Sequence, residues 1–160
     1  MRRMAVVGLA LVALAGCGGS GVDEGVAVCE EWVAAFDAVV QRTESFAEDA
    51  FAATNQAYVG TASAAEVDAQ LAASAADWEA VLAEIDALGP PPEHLASVVS
   101  LMREGLDMGR QGYETLLAGR QAGDSGRISE GGILLGEGSM RLGSASIEMQ
   151  TAGTCTDAGE

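Results

Sequence analysis

From Val22 onward the sequence has no run in which apolar and polar residues alternate. Nothing in it offers a strand one dry face and one wet face, so a sheet is excluded early. Ala, Glu, Leu and Gln recur instead, all good helix formers. All three prolines fall in one run, Pro90-Pro91-Pro92, so no other segment is broken by one. Glycine and proline punctuation predicts four helical segments. The first runs from about Val22 to Tyr58 and stops near Gly60. The second opens at Ser63-Ala64-Ala65-Glu66, a capping-box pattern, and ends at Leu88 with Gly89 as its C-cap. The third runs from about Pro92 to Ala118 and stops at Gly119. The fourth runs from Asp124-Ser125 to about Ala152.

Each segment carries an apolar stripe at helical spacing. The second has Leu71, Trp78 and Ile85 seven apart, with Ala75 and Leu82 beside them. The third has Leu95, Val98, Val99, Met102, Leu106, Tyr113 and Leu116. The first has Val26, Cys29, Val33, Phe36 and Val40, then weakens, and Phe46, Phe51 and Tyr58 lie off its line. The fourth repeats Ile128, Leu135, Leu142 and Met149. Four helices of about 26 to 35 residues are each roughly 40 Å or longer. Joined by short loops, they predict an all-α, up-down-up-down four-helix bundle.

The fourth segment is unusual. Gly131, Gly132, Gly136, Gly138 and Gly143 lie inside it, each costing about 1 kcal/mol relative to alanine. Gly132, Gly136, Ser139, Gly143 and Ser146 form a stripe of small residues. Three readings stand: close approach of a neighbouring helix, a groove for a ligand or partner, or partial unfolding.

The first residues are of another kind. Met1-Arg2-Arg3 is basic, Met4 to Ala13 is apolar, and small residues follow. The apolar stretch is too short to span a bilayer, which takes about 20 residues, and it reads as an export signal. Leu14-Ala15-Gly16-Cys17 resembles the lipobox of bacterial lipoproteins. The resemblance implies cleavage before Cys17, with fatty acyl groups, palmitate among them, joined at that residue. Such chains, at roughly 0.8 kcal/mol per CH₂, would hold the protein to a membrane. On this reading residues 1–16 are the signal peptide, residues 17–21 the lipidated cysteine with a Gly/Ser tether, and residues 22–160 the bundle domain. The expected location is extracytoplasmic, on the outer face of the cytoplasmic membrane or on the outer membrane. Gly18 after the cysteine lacks the aspartate that retains such proteins at the inner membrane.

With Cys17 assigned to lipid, Cys29 and Cys155 remain, and an exported domain predicts a disulfide between them. Two reduced cysteines are the alternative. In an up-down-up-down bundle both residues stand at the end where the first helix begins, so topology and bridge agree.

The leader holds two of the eight arginines and no acid. The remainder has six basic residues against 24 acidic ones, a formal net charge of −18. Such a surface repels phosphate backbones, so no nucleic-acid partner is expected. Catalytic patterns are lacking. The single histidine, His94, reads as an exposed residue after the prolines; it cannot complete a di-iron or paired-histidine zinc motif. Asp23-Glu24, Glu30-Glu31, Glu48-Asp49 and Asp124 lack calcium-loop spacing and read as a solvated face. Trp32, Trp78 and the methionines at 102, 108, 140 and 149 read as core filling. No cofactor, metal or catalytic residue is expected. Ala87-Leu88 through His94-Leu95, followed by a helix with Tyr113 and Leu116-Leu117-Ala118-Gly119, is similar to a pattern in small helical lipoproteins of unknown function. That resemblance implies a four-helix body without a known activity.

The expected function is therefore non-enzymatic: a lipid-anchored bundle that binds or scaffolds an envelope protein partner. The alternative is a lipoprotein holding a small apolar molecule or cation between its helices, with Gly132, Gly136, Ser139 and Gly143 as the contact or groove residues.

Overall fold

A computed structural model describes residues 21–58, 62–152 and 155. The leader, Cys17, Gly18 to Ser20 and Gly60 lie outside them. The protein is an all-α four-helix bundle: α1 (Gly21–Tyr58), α2 (Ala64–Ala87), α3 (Ala96–Ala122) and α4 (Ser125–Thr151), with a 3-10 turn at Glu93–Leu95 before α3. There is no strand among the described residues. None of the helices among them is long and apolar enough to cross a membrane. Gly21, expected in the tether, is the first residue of α1.

Local chemistry sets the helix ends. The Ser63 hydroxyl accepts from the Glu66 amide at 3.3 Å, and the Ser63 amide donates to the Glu66 carboxylate at 2.8 Å. That is the expected capping box. The bonds from the Ser63 side chain and backbone hold the Glu66 carboxyl below its ordinary pKa. Leu88 caps α2, Gly89 follows at φ +77°, and the proline run forbids continuation. Asp124 caps α4 by accepting from the Gly126 and Arg127 amides at 2.9 and 3.2 Å.

Two boundaries differ from expectation. The third helix begins at Ala96, after the 3-10 turn, and it runs through Gly119 to Ala122. Gly123, at φ +67°, ends it. Gly119 is a packing position instead of a stop: a Cβ there would lie 2.8 Å from the Ile128 backbone nitrogen.

The core gathers the predicted stripes. Phe36, Ile85 and Leu106 are fully buried, and Leu71, Trp78, Val99, Met102 and Tyr113 surround them. In α2, Val81 is buried and Leu82 only half-buried, a small rotation from the expected stripe. α3 is central, packed against both α2 and α4, while α1 packs on α2.

The α3–α4 contact rests on small residues. Gly105, Gly112 and Gly119 recur every seven positions on α3, and Gly131, Gly138 and Ala145 do so on α4. A Cβ added at Gly138 would stand 2.7 Å from the Gly105 carbonyl oxygen, and one at Gly131 would stand 2.8 Å from that of Gly112. Backbone thus meets backbone, closer than side chains would permit. A strict seven-residue repeat suits the gentle left-handed winding of paired helices.

At the end where α1 begins and α4 finishes, Cys29 and Cys155 are joined, with Cα atoms 5.7 Å apart. The bridge closes 126 residues. Four interhelical ion pairs (Arg42–Glu84, Arg103–Asp86, Arg120–Asp68 and Arg141–Glu104) lie on the surface, where such pairs contribute little.

Candidate ligand cavity

The glycine seam has a consequence on the opposite side of α4. By drawing α4 onto α3, it leaves α1 and α4 without comparable packing among the described residues. A cavity of about 460 Å³ opens between them. This is within the range of small-molecule sites, about 300–1,000 Å³. It extends along α4 from Leu135 to Met149, fourteen positions or about 21 Å of helix.

Phe36, Val40 and Thr43 of α1 form one wall. Trp78, Met102 and Tyr113 form the floor, where the Trp78 and Tyr113 rings meet at a centroid distance of 6.2 Å. Trp78 reaches this position because Gly109 has no side chain: a Cβ there would lie 2.7 Å from the indole ring. Leu135, Leu142 and Met149 of α4 form the opposite wall, half-buried because the cavity lies before them. Ser139 and Ser146 stand at its exposed margin.

Among the described residues no charged side chain lines the cavity. Its polar groups are few. The Thr43 hydroxyl donates to the Val39 carbonyl at 3.0 Å and the Ser139 hydroxyl to the Leu135 carbonyl at 2.9 Å, leaving each oxygen free to accept. Burial pushes the Tyr113 phenol above its ordinary pKa, so it stays neutral. The Trp78 indole N–H is buried without a partner. The site is suited to holding an uncharged, mostly apolar molecule with one or two polar atoms.

Of the four groove candidates Gly132, Gly136, Ser139 and Gly143, the structure brings only Ser139 to the cavity. Gly132, Gly136 and Gly143 are exposed, and a Cβ on any of them would meet nothing within 4 Å. They touch neither α3 nor the described lining of the cavity. The contact line lies one or two positions away, at Gly131 and Gly138. The missed signal was the matching series of glycines on α3, whose spacing selects which glycines of α4 it meets. Ser146 does line the cavity. Cys29 and Cys155 are paired as expected, and Cys17 lies outside the described residues. His94 is half-buried instead of exposed, its Nδ1 enclosed and without a partner.

Fold and site define a helical bundle with an apolar chamber along one seam. No family model, curated protein or solved structure matches the chain.

Proposed function

We propose that this protein is a lipid-anchored, extracytoplasmic binding protein that holds a small, uncharged, apolar molecule between α1 and α4. The anchoring part rests on the lipobox-like Leu14-Ala15-Gly16-Cys17. The binding part rests on one observation: the α1–α4 seam leaves an apolar cavity of about 460 Å³, open along one side, instead of closing on itself. The described lining residues include no acidic group to balance a cation. An apolar ligand is therefore the better fit of the two classes weighed from the sequence.

The test uses the indole in the floor. Titration of mature protein with a neutral apolar fluorophore should quench Trp78 emission and saturate at one equivalent. Ser139→Leu with Ser146→Leu places two apolar side chains over the opening and should abolish the effect while leaving helicity intact. Saturation undiminished in that variant would place binding elsewhere.

A second reading has its own support. Ile133, Met140 and Ile147 are 59, 67 and 66% exposed and recur every seven residues on the outer face of α4. An apolar stripe of that spacing supports docking of a partner helix, the scaffolding role. Loss of pull-down partners on Met140→Glu, with fluorophore binding retained, would favour it.

A further inference from the structure

Three separate parts of the chain meet where α1 begins and α4 finishes. Cys29 comes from α1, His94 from the turn after the proline run, and Cys155 from beyond α4. The two sulfurs and a ring nitrogen of His94 all lie within 4.8 Å of one another. His94 Nδ1 is enclosed and has no hydrogen-bond partner among the described residues. A disulfide has no need of a histidine, and a buried ring nitrogen without a partner is a cost to the fold. Two thiolates and an imidazole, by contrast, are a ligand set for a thiophilic cation.

We propose that reduction turns this covalent clasp into a Cys29–His94–Cys155 site for a divalent thiophilic cation of the Zn²⁺ type. The site is independent of the cavity ligand. In the oxidised protein the two sulfurs are bonded to each other and neither is a thiolate. A dithiol reduces the bridge, becoming a disulfide itself and leaving two cysteine thiols. Each thiol then loses its proton to solvent as its sulfur bonds the metal, so two protons leave per ion bound. The two negative sulfurs balance the ion's charge.

The required motion is small. Sulfurs about 2.3 Å from one tetrahedral ion stand roughly 3.8 Å apart. In the oxidised protein the two cysteine Cα atoms are 5.7 Å apart. The His94 nitrogen lies within 4.8 Å of the sulfurs and has to close to the roughly 3.6 Å that separates a nitrogen and a sulfur on one tetrahedral ion. Three protein ligands leave a fourth position open. Bridge and metal are thus alternative fastenings of the same three elements, exchanged by redox state.

Mature protein, reduced with a phosphine and kept free of oxygen, is titrated with Co²⁺ and then with Zn²⁺. The oxidised protein serves as the blank for ions gathered by the acidic surface. The reduced protein should bind one equivalent, develop a thiolate-to-cobalt absorption band, and lose the band as Zn²⁺ displaces Co²⁺. Outer partners of metal ligands are worth about tenfold to a hundredfold in affinity. Removing a direct ligand by His94→Ala should weaken binding by at least that much, and His94→Asp should restore part of it. Cys155→Ser, a change outside the four helices, should remove the band with helicity retained. The proposal is overturned if reduced protein shows no thiolate band, if the oxidised protein binds equally, or if folded His94→Ala binds as the parent does.

Discussion

Glycines on the two sides of α4 should respond to alanine with opposite signs. Gly132, Gly136 and Gly143 are helical and exposed, and an added Cβ would touch nothing within 4 Å. Replacing each by alanine should return the helix-propensity difference, about 1 kcal/mol per site. The three together should add about 2–3 kcal/mol, since the new methyl groups share no partners. For a domain of this length that corresponds to a melting temperature higher by roughly 7–10 °C. Gly138 lies on the other side. Its Cβ would stand 2.7 Å from the Gly105 carbonyl oxygen and 3.1 Å from the Gly109 nitrogen, both backbone atoms that no rotamer change can move. Overpacking of this kind costs about 1–3 kcal/mol. With the propensity gain of about 1 kcal/mol set against the upper end, Gly138→Ala should be net destabilising by about 2 kcal/mol. Urea titrations of mature protein with its disulfide intact, followed by circular dichroism, measure both. If Gly138→Ala stabilises as Gly136→Ala does, the close α3–α4 seam is wrong, and with it the reason given for the cavity.

Replacing both Cys29 and Cys155 by serine should lower unfolding free energy by about 4–5 kcal/mol on the chain-entropy account, read from the urea midpoint. Ser63→Ala should cost about 1 kcal/mol. Because the folded Glu66 pKa is depressed, the box stabilises above the unfolded value of 4.5 and fades as pH falls through the lower folded value; the variant should lack that acid-side loss. The Tyr113 phenol has its pKa raised in the folded state, so its contribution is complete below the unfolded value of 10.0 and is lost as pH rises toward the folded one. Tyr113→Phe should therefore lose less stability than the parent between neutral pH and the alkaline range above 10.

Helix periodicity made most of the fold legible before any coordinates. The stripes of α2 and α3, the capping box at Ser63, the stop at Gly89 and the pairing of Cys29 with Cys155 each follow from local chemistry or simple topology. The cavity did not. It depends on how far one helix stands from another, and this is set by two glycine series read against each other. Gly119 looked like a stop because glycine so often ends helices, yet packing against Ile128 outweighed that preference. His94 looked exposed because it follows Pro90-Pro91-Pro92 and Glu93 in the first turn of a helix. Its surroundings are instead supplied by Cys29 and Cys155, both more than sixty residues away in the chain.

The glycine seam, the open α1–α4 face and the small hydroxyl residues at its margin form one causal chain. Small residues bring α4 to α3, that approach parts α4 from α1, and the gap is lined by aromatic and aliphatic groups. The central claim is that this gap holds an apolar molecule in the native protein. Native mass spectrometry of protein extracted from its own membrane tests it most directly. The expected spectrum has a polypeptide beginning at a lipidated Cys17, plus a neutral noncovalent mass that collisions eject, absent from the Ser139→Leu/Ser146→Leu variant. A spectrum showing the polypeptide alone, or the same extra mass in the variant, would contradict the account.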